Sequence, residues 1–231
     1  MCWRLYGRAE ERHGRCGNSS TLLTMKFIET KIKGVILIEL EKKEDERGFL
    51  ARTWDKEQFA QNGIDFTIMQ GYVTSSLKKG TMRGFHYLKV PEQKLTRVTR
   101  GSVYEVVIDI RPKSPTYKKW QSFTLKDTDY KMFYAGPGIA HAILTLTDNT
   151  ELMSLYSPAY ASGNEGGIRY NDPAFNVKWP IDVKSVSKKD SSWEDFTLQD
   201  VIARSPDQQD DEAIYTIGRS PRSQASPDRS R

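Results

Sequence analysis

Apolar and polar residues alternate in short runs along most of the chain after Met25, and turn residues separate the runs. Runs of this kind that are rich in β-branched and aromatic side chains predict β-strands. We predict strands at 27–30, 35–38, 95–99, 102–110, 121–125, 131–134, 141–146 and 151–156. Arg100 and Gly101 separate two of these strands and predict a hairpin. Strands of this length and spacing favour an antiparallel sandwich or barrel.

The predicted strand at 102–110 has one mixed face. Alternation places Tyr104 and Val106 on one side and a second set on the other, namely Val103, Glu105, Val107 and Asp109. In a small barrel, an interior face that carries a few polar residues among apolar ones is where a ligand binds.

Two short helices are predicted beside the strands. Thr53 is the expected N-cap of the first helix, which ends at Gly63, and residues 192–204 are expected to form the last helix. After Pro158 the chain is rich in Gly, Asn and Pro and lacks strand periodicity, which is typical of a long functional or disordered loop.

The 231 residues suit one domain with two tails. Residues 1–24 show neither strand alternation nor a helical apolar stripe, and they lack the apolar core of a signal peptide. Residues 205–231 are rich in Ser, Pro, Arg and Asp. We predict a domain over 25–204 between two disordered tails. Both cysteines, Cys2 and Cys16, lie in the first tail, so the domain needs no disulfide and suits the cytoplasm.

The formal net charge of +5 is modest, and basic residues are interspersed with acids rather than gathered into a stripe. This distribution argues against nucleic acid as a partner and suits an anionic small molecule. No apolar run approaches the roughly 18 residues that cross a bilayer, so no membrane partner is expected. The first tail holds Cys2, His13 and Cys16, but without a fourth ligand or zinc-like spacing we interpret it as unstructured.

The residues best suited to chemistry are concentrated between Thr81 and Lys94. Histidine takes and returns protons near neutral pH, so His86 is a candidate base. A bulge at Gly84 would let Arg83 and His86 face the same side despite their opposite strand parity. The domain has two histidines, His86 and His141, in no spacing typical of a metal-using barrel, so no metal is predicted. At this level an acid/base enzyme and a non-catalytic binding barrel both remain open.

Several ordered motifs add to this interpretation. They are DERGF at 45–49, Gln70, GTMRGFHY at 80–87, Lys94 and Leu95 with Arg97, Val98, Arg100 and Gly101, 109–111 with 114–116, 137–138 with 140–141, GIRYNDP at 167–173 and SKKD at 187–190. From about residue 26 to 196 the chain resembles the dTDP-4-dehydrorhamnose 3,5-epimerase family, a metal-independent branch of the cupin-type jelly rolls.

The resemblance implies an all-β jelly-roll barrel with short flanking helices and no cofactor. It also implies inversion of C3 and C5 of a 4-keto-6-deoxyhexose that is carried on a nucleoside diphosphate. His86 takes the place of the base, Asp190 that of its dyad carboxylate, and Lys94 lies by the developing enolate. The implied substrate contacts are Arg47, Gln70, Arg83, His141, Glu165 and Lys189, with Tyr160 stacked on the nucleotide base. A homodimer is implied, in which the Arg47 region reaches the neighbouring subunit.

The chain departs from the family pattern at three positions. Ser154 stands where the family carries its proton-donating tyrosine, Arg52 replaces a glutamate and Tyr72 replaces an asparagine. Three explanations stay open for the acid. In the first, Tyr156, which is on the same strand face as Ser154, supplies the proton. In the second, water or Ser154 itself supplies it, and epimerisation takes place at one carbon only. In the third, the barrel binds the sugar nucleotide with little turnover. A related ketoisomerase activity is a further alternative.

Overall fold

The computed structural model describes residues 23–157 and 159–197. The predicted tails lie almost wholly outside these residues, and so do Cys2, His13 and Cys16. The elements are β1 (Met25–Glu29), β2 (Val35–Leu40), β3 (Lys42–Asp45), β4 (Gly48–Ala51), α1 (Lys56–Gln61), β5 (Gln70–Ser76), β6 (Met82–Leu88), β7 (Gln93–Arg100), β8 (Ser102–Asp109), β9 (Trp120–Lys126), a 3₁₀ turn (Asp127–Asp129), β10 (Lys131–Ala135), β11 (Ile139–Thr145), β12 (Thr150–Ser157), β13 (Glu165–Gly167) and α2 (Lys188–Ser191).

Two antiparallel sheets face each other. The six-stranded sheet has the order β1-β2-β10-β7-β12-β5, and the five-stranded sheet has the order β13-β6-β11-β8-β9. The short hairpin β3-β4 stands apart from both. From β5 onward, sequential strands alternate between the two sheets except at β8 and β9, which are neighbours in one sheet. This alternation is typical of a jelly roll, and the predicted all-β fold is confirmed. Within the described residues no helix is long and apolar enough to cross a membrane.

Three apolar clusters form the layers of the fold. The inner cluster fills one end of the space between the sheets and contains Val103, Val107, Phe133, Ile143 and Leu152. The outer face of the six-stranded sheet is covered by α1 and the segment after it, through Phe59, Ile64 and Phe66. The outer face of the five-stranded sheet is covered by the irregular segment after β13, through Ile168, Phe175, Trp179 and Phe196. This segment, which lacks strand periodicity, is therefore an ordered cover.

The hairpin predicted at Arg100 and Gly101 is wrong. Strand β7 pairs with β10 and β12, whereas β8 pairs with β9 and β11, so the turn carries the chain from one sheet to the other. Gly101 has a φ of +80°, which suits this crossing as well as it would suit a hairpin. A local turn signal cannot distinguish a hairpin from a crossing between sheets, because the pairing of each strand depends on which apolar faces the two sheets bury.

The predicted helix ends also need correction. Helix α1 is capped by Asp55, whose carboxylate accepts a hydrogen bond from the Gln58 N–H at 3.0 Å, rather than by Thr53. The helix predicted over 192–204 is absent from its described part, residues 192–197. There the Phe196 N–H donates to the buried Asp172 carboxylate at 2.7 Å, and its ring enters the outer cluster. This tertiary bond replaces a helical one.

A β-bulge at Gly84 is present, as predicted. His86 pairs with His141 and Arg83 pairs with Ile143, so three steps along β6 oppose two along β11. Gly84 has a φ of +113°, and an added Cβ would lie 2.6 Å from the His141 carbonyl oxygen. The extra residue restores the parity that lets both Arg83 and His86 face inward.

We predict that Gly84→Ala lowers the free energy of unfolding by about 2–4 kcal/mol, because strained backbone and a close contact act together. The control is Gly63→Ala, since Gly63 also has a positive φ, +75°, but an added Cβ meets nothing within 4 Å. The control should lose only about 1 kcal/mol. Urea unfolding measures both, and equal losses would contradict the contact at the bulge.

Candidate active site

A cavity of about 690 Å³ lies between the two sheets at the end that the apolar cluster leaves open. Ile143 and Leu152 belong to both the cluster and the cavity lining, so they form its floor. The polar side chains that line it include Gln70, Tyr72, Arg83, His86, Glu92, Lys94, Thr96, Glu105, His141, Ser154, Tyr156, Tyr160, Glu165, Lys189 and Asp190. Thus most of the residues predicted for the site are brought together.

The six-stranded sheet contributes two rows of neighbouring side chains. In one row Tyr156 lies between Gln70 on β5 and Lys94 on β7. In the next row Ser154 lies between Tyr72 on β5 and Thr96 on β7. Residues directly opposite each other in antiparallel strands point to the same face, so both rows project into the cavity.

The five-stranded sheet contributes His86 and its carboxylate partner. The His86 Nε2 is 2.7 Å from the Asp190 Oδ1, and the other carboxylate oxygen accepts the Gly84 N–H at 3.2 Å. Asp190 is held by α2, which Ser187 caps by accepting the Asp190 N–H at 2.9 Å. The His86 side chain is 42% exposed and faces the cavity, whereas that of Asp190 is 6% exposed.

Burial alone would raise the pKa of Asp190, but the hydrogen bond and charge of His86, with the Gly84 N–H and Ser187, lower it overall. Asp190 is therefore ionised at neutral pH. An ionised carboxylate only accepts hydrogen bonds, so Nε2 of His86 donates to it. This bond leaves Nδ1 of His86 unprotonated when the ring is neutral.

Lys94, His141 and Glu105 form a second polar group. The Lys94 ammonium lies 2.7 Å from Nε2 of His141, and Nδ1 of His141 lies 3.4 Å from Oε1 of Glu105. All three side chains are buried. The ammonium also lies 5.2 Å from the centre of the Tyr156 ring.

The pKa shifts in this group have different causes. Burial lowers the pKa of Lys94, but Tyr156, Glu105 and Glu92 outweigh it and raise the pKa overall. Burial, with the nearby Lys94 and His86, lowers the pKa of His141 well below its usual range. Burial raises the pKa of Glu105 to about 8, although Lys94 acts the other way. At neutral pH the site therefore holds a charged lysine, a neutral imidazole and a protonated carboxyl group.

The predicted acid positions differ in what surrounds them. The Ser154 hydroxyl is 2.9 Å from that of Thr96, and Ser154 is 5% exposed. Tyr156 packs edge-on against Tyr72, with ring centres 5.4 Å apart.

Arg83, Tyr160, Glu165 and Lys189, four of the predicted substrate-contact residues, lie at the mouth of the cavity, whereas His141 belongs to the buried group and Gln70 to the row with Tyr156. Arg83 is held by Ser76 Oγ at 3.0 Å and by the Ser75 carbonyl at 2.9 Å. Lys189 and Glu165 form an ion pair at the rim, near the 67% exposed Tyr160. Arg47 does not line the cavity; it lies on the β3-β4 turn and pairs with Asp45.

Comparisons with known proteins agree on one family. The family model described as dTDP-4-dehydrorhamnose 3,5-epimerase matches residues 29–197. The dTDP-4-dehydrorhamnose 3,5-epimerase of Methanothermobacter thermautotrophicus is 35% identical over 176 residues, which cover 73% of this chain and 92% of the relative. The chain belongs to the dTDP-4-dehydrorhamnose 3,5-epimerase family. The resemblance found in the sequence is confirmed, and so is the expectation of an isomerase-class enzyme.

Two further relatives bear on the site. The dTDP-4-dehydrorhamnose 3-epimerase of Streptomyces niveus is 32% identical over 162 residues, covering 69% of this chain and 78% of the relative. A Legionella pneumophila 3,5-epimerase, solved in complex with dTDP-4-keto-L-rhamnose, has a TM-score of 0.73 and 28% identity, covering 80% of this chain and 100% of that chain.

Sequence reasoning missed three contributors to the cavity. Strand β5 was not predicted, because its sequence, QGYVTSS, has no apolar alternation. Its inward residue Tyr72 was noted only as a departure from the family pattern. Glu105 appeared on the mixed face of its strand but was not given a role, although its lack of a charged neighbour in sequence marks it as a buried carboxyl group. Glu92, whose pKa burial raises, carried no sequence signal.

We predict that Glu105→Gln becomes progressively more stable than the parent as the pH rises from about 4.5 to about 8. Above pH 4.5 the unfolded chain releases the Glu105 proton, whereas the folded chain keeps it until its pKa of about 8. The parent therefore loses unfolding free energy over this window, and the variant is spared that loss. Urea unfolding at several pH values measures the difference.

The matched control is Glu39→Gln. A hydrogen bond from Lys131 leads the interactions that lower the pKa of Glu39, so the stability of that pair is already complete above pH 4.5. The difference in unfolding free energy between Glu39→Gln and the parent should stay constant between pH 5 and 8. A level difference for Glu105→Gln as well would contradict a protonated Glu105.

Proposed function

We propose that this chain inverts one or both carbons next to the ketone of a nucleoside-diphosphate 4-keto-6-deoxyhexose. The observation that carries the proposal is the pair formed by His86 of the five-stranded sheet and Asp190 of α2, which faces tyrosines of the six-stranded sheet across one cavity. Inversion requires that a proton leave one face of the sugar and return to the opposite face. A base and an acid on opposite walls meet this requirement.

His86 is the proposed base. Asp190 holds Nε2 as a donor, so the lone pair on Nδ1 is free to take a proton from the carbon beside the ketone. The imidazolium that forms is then stabilised by the ionised carboxylate at 2.7 Å. Asp190 is buried and bonded on both oxygens, so it holds the ring in this orientation.

Lys94 is proposed to stabilise the enolate oxygen. Its ammonium stays charged at neutral pH, since its pKa is raised by Tyr156, Glu105 and Glu92 despite burial. The neutral His141 accepts a hydrogen bond from it and does not compete for the negative charge. A preorganised donor in a site shielded from water stabilises developing charge far more than the same donor in water.

The nucleotide is proposed to bind at the mouth. Arg83, whose guanidinium is oriented by Ser76 and Ser75, and Lys189 provide the cations for a diphosphate. Tyr160 is exposed at the rim and is placed to stack on the base. A dTDP-sugar is favoured because the Legionella relative was solved with dTDP-4-keto-L-rhamnose. The described domain contains no cysteine, which agrees with a cytoplasmic location.

A second candidate is inversion at a single carbon. Ser154 is buried, bonded to Thr96 and a poorer acid than a tyrosine, so the proton-returning half of the site differs from the family pattern. The Streptomyces niveus relative, named as a 3-epimerase, is consistent with this version. A barrel that only binds the sugar nucleotide, and a ketoisomerase that moves the ketone, are separated from both by the experiment below.

We predict that the parent incorporates solvent deuterium from D₂O at C3, C5 or both of a dTDP-4-keto-6-deoxyglucose substrate, as read by NMR. His86→Asn should reduce this incorporation about 10²- to 10⁴-fold, because it removes the base. Asp190→Asn should reduce it as well, since the ring loses its orientation and its counter-charge. Label at C3 alone supports the single-carbon version.

Binding of dTDP by calorimetry is the control, and it should persist in His86→Asn. Binding without any incorporation by the parent would overturn the epimerase proposal in favour of the binding barrel. A product with its ketone at C3 would support a ketoisomerase.

We also propose a homodimer in which the β3-β4 hairpin of one subunit lies against the β5 edge of the other. Strand β5 is an edge strand, and it exposes Val73 by 70%, while the hairpin exposes Leu50 by 63%. Exposed apolar side chains along an unpaired edge are typical of an interface. This arrangement brings Arg47, which does not line the cavity of its own subunit, towards the cavity of the neighbouring subunit.

We predict that mixing Arg47→Ala with His86→Asn subunits restores activity that neither variant has alone. Random mixing should give roughly a quarter of the parent rate, since half of the dimers are mixed and each has one intact site. Unfolding and refolding the two variants together, then separately as the control, measures this. No recovery from a mixture shown by light scattering to be dimeric would contradict the shared site.

A further inference from the structure

The tyrosine that the family carries on β12 has a counterpart on the neighbouring strand of this chain. Ser154 pairs directly with Tyr72 in the antiparallel ladder of β12 and β5. The chain departs from the family pattern at both positions, with a small residue at 154 and a large one at 72. Directly paired residues share a face and lie about 4.5–5.5 Å apart at Cβ. A ring at one position therefore fills space that a ring at the other would need.

The Tyr72 side chain is held in the cavity by two contacts. Its ring packs edge-on against Tyr156, at an interplanar angle of 79°. Its hydroxyl donates to Oε1 of Gln70 at 2.5 Å. Gln70 belongs to the row that also contains Tyr156 and Lys94, so this bond links the Tyr72 hydroxyl to the row with the proposed enolate-binding lysine.

We propose that Tyr72 is the acid that returns the proton to the sugar, which rests on the function proposed above. His86 takes the proton from the α-carbon on one face, and the electron pair moves onto the ketone oxygen beside Lys94. The Tyr72 O–H bond then breaks, its proton adds to the opposite face of the same carbon, and the ketone re-forms. Tyrosinate regains a proton from water, and the imidazolium releases one to water, so the cycle closes.

The other hydroxyls of this wall are less suited to the step. The Tyr156 ring centre lies 5.2 Å from the Lys94 ammonium, which makes Tyr156 a positioning residue for that ammonium. Ser154 is only 5% exposed, and its aliphatic hydroxyl is a poorer acid than a tyrosine. Tyr72 is 44% exposed, so it has the access to solvent that an acid needs to regain its proton after each turnover.

We predict that Tyr72→Phe separates exchange from inversion. In D₂O, His86 should still exchange the α-proton at close to the parent rate, with deuterium returned to the same face. Formation of the inverted sugar should fall about 10²- to 10⁴-fold, as expected for loss of a general acid. Tyr104→Phe is the matched control, because it removes a tyrosine hydroxyl that bonds Ser122 on the outer face of the other sheet. It should leave both rates unchanged.

A double variant tests directly whether a tyrosine at position 154 can replace the one at position 72. Tyr72→Asn should lose inversion, and adding Ser154→Tyr should restore it by placing the hydroxyl back on β12. Inversion at the parent rate in Tyr72→Phe would overturn the assignment. Loss of inversion with exchange retained in Tyr156→Phe would also overturn it, because loss of a residue that only positions Lys94 should slow exchange and inversion together. Absence of exchange in the parent itself would instead overturn the proposed function, so the two failures are distinguishable.

Discussion

The buried carboxylate of Asp190 connects the parts of the molecule that the site depends on. One oxygen accepts the Gly84 N–H inside the bulge, and the other accepts Nε2 of His86. A buried charge is tolerated only when it is paired and hydrogen-bonded, so the bulge, the histidine and helix α2 must be in place together. The irregular segment that precedes α2 is thereby fixed against the five-stranded sheet as well as by its apolar contacts.

The sandwich separates polar and apolar side chains within the space between its two sheets. At one end of this space, Val103 and Val107 of β8 pack with Phe133 of β10 and close it. At the other end the space stays open as a cavity, which is lined by Lys94 of β7 and His141 of β11, and Glu105 of β8 also reaches it. Because Glu105 is protonated and His141 is neutral at neutral pH, Lys94 carries the charge of this buried group, and the group avoids a second buried charge. In the proposed reaction, the Lys94 ammonium is the charge that stabilises the enolate oxygen.

The two sheets also separate the two halves of the proposed chemistry. Base and dyad carboxylate belong to the five-stranded sheet and its cover, and the tyrosines belong to the six-stranded sheet. A substrate between the sheets therefore meets a different group on each face. Because β5 and β12 are neighbours in one sheet, a tyrosine on either strand lies on the same wall of the cavity.

The sequence by itself determined the positions of eight strands, the family and the inward parity of Arg83 and His86, because these depend on local periodicity and on motifs within a few residues. It did not determine the sheet partners of β7 and β8, or strand β5, whose polar sequence is set by the cavity rather than by a core. It also did not determine that Tyr72 would stand beside Ser154. Side chains 82 residues apart meet only when burial of both sheets fixes which strands are neighbours and in which register, and that choice is made by the whole fold.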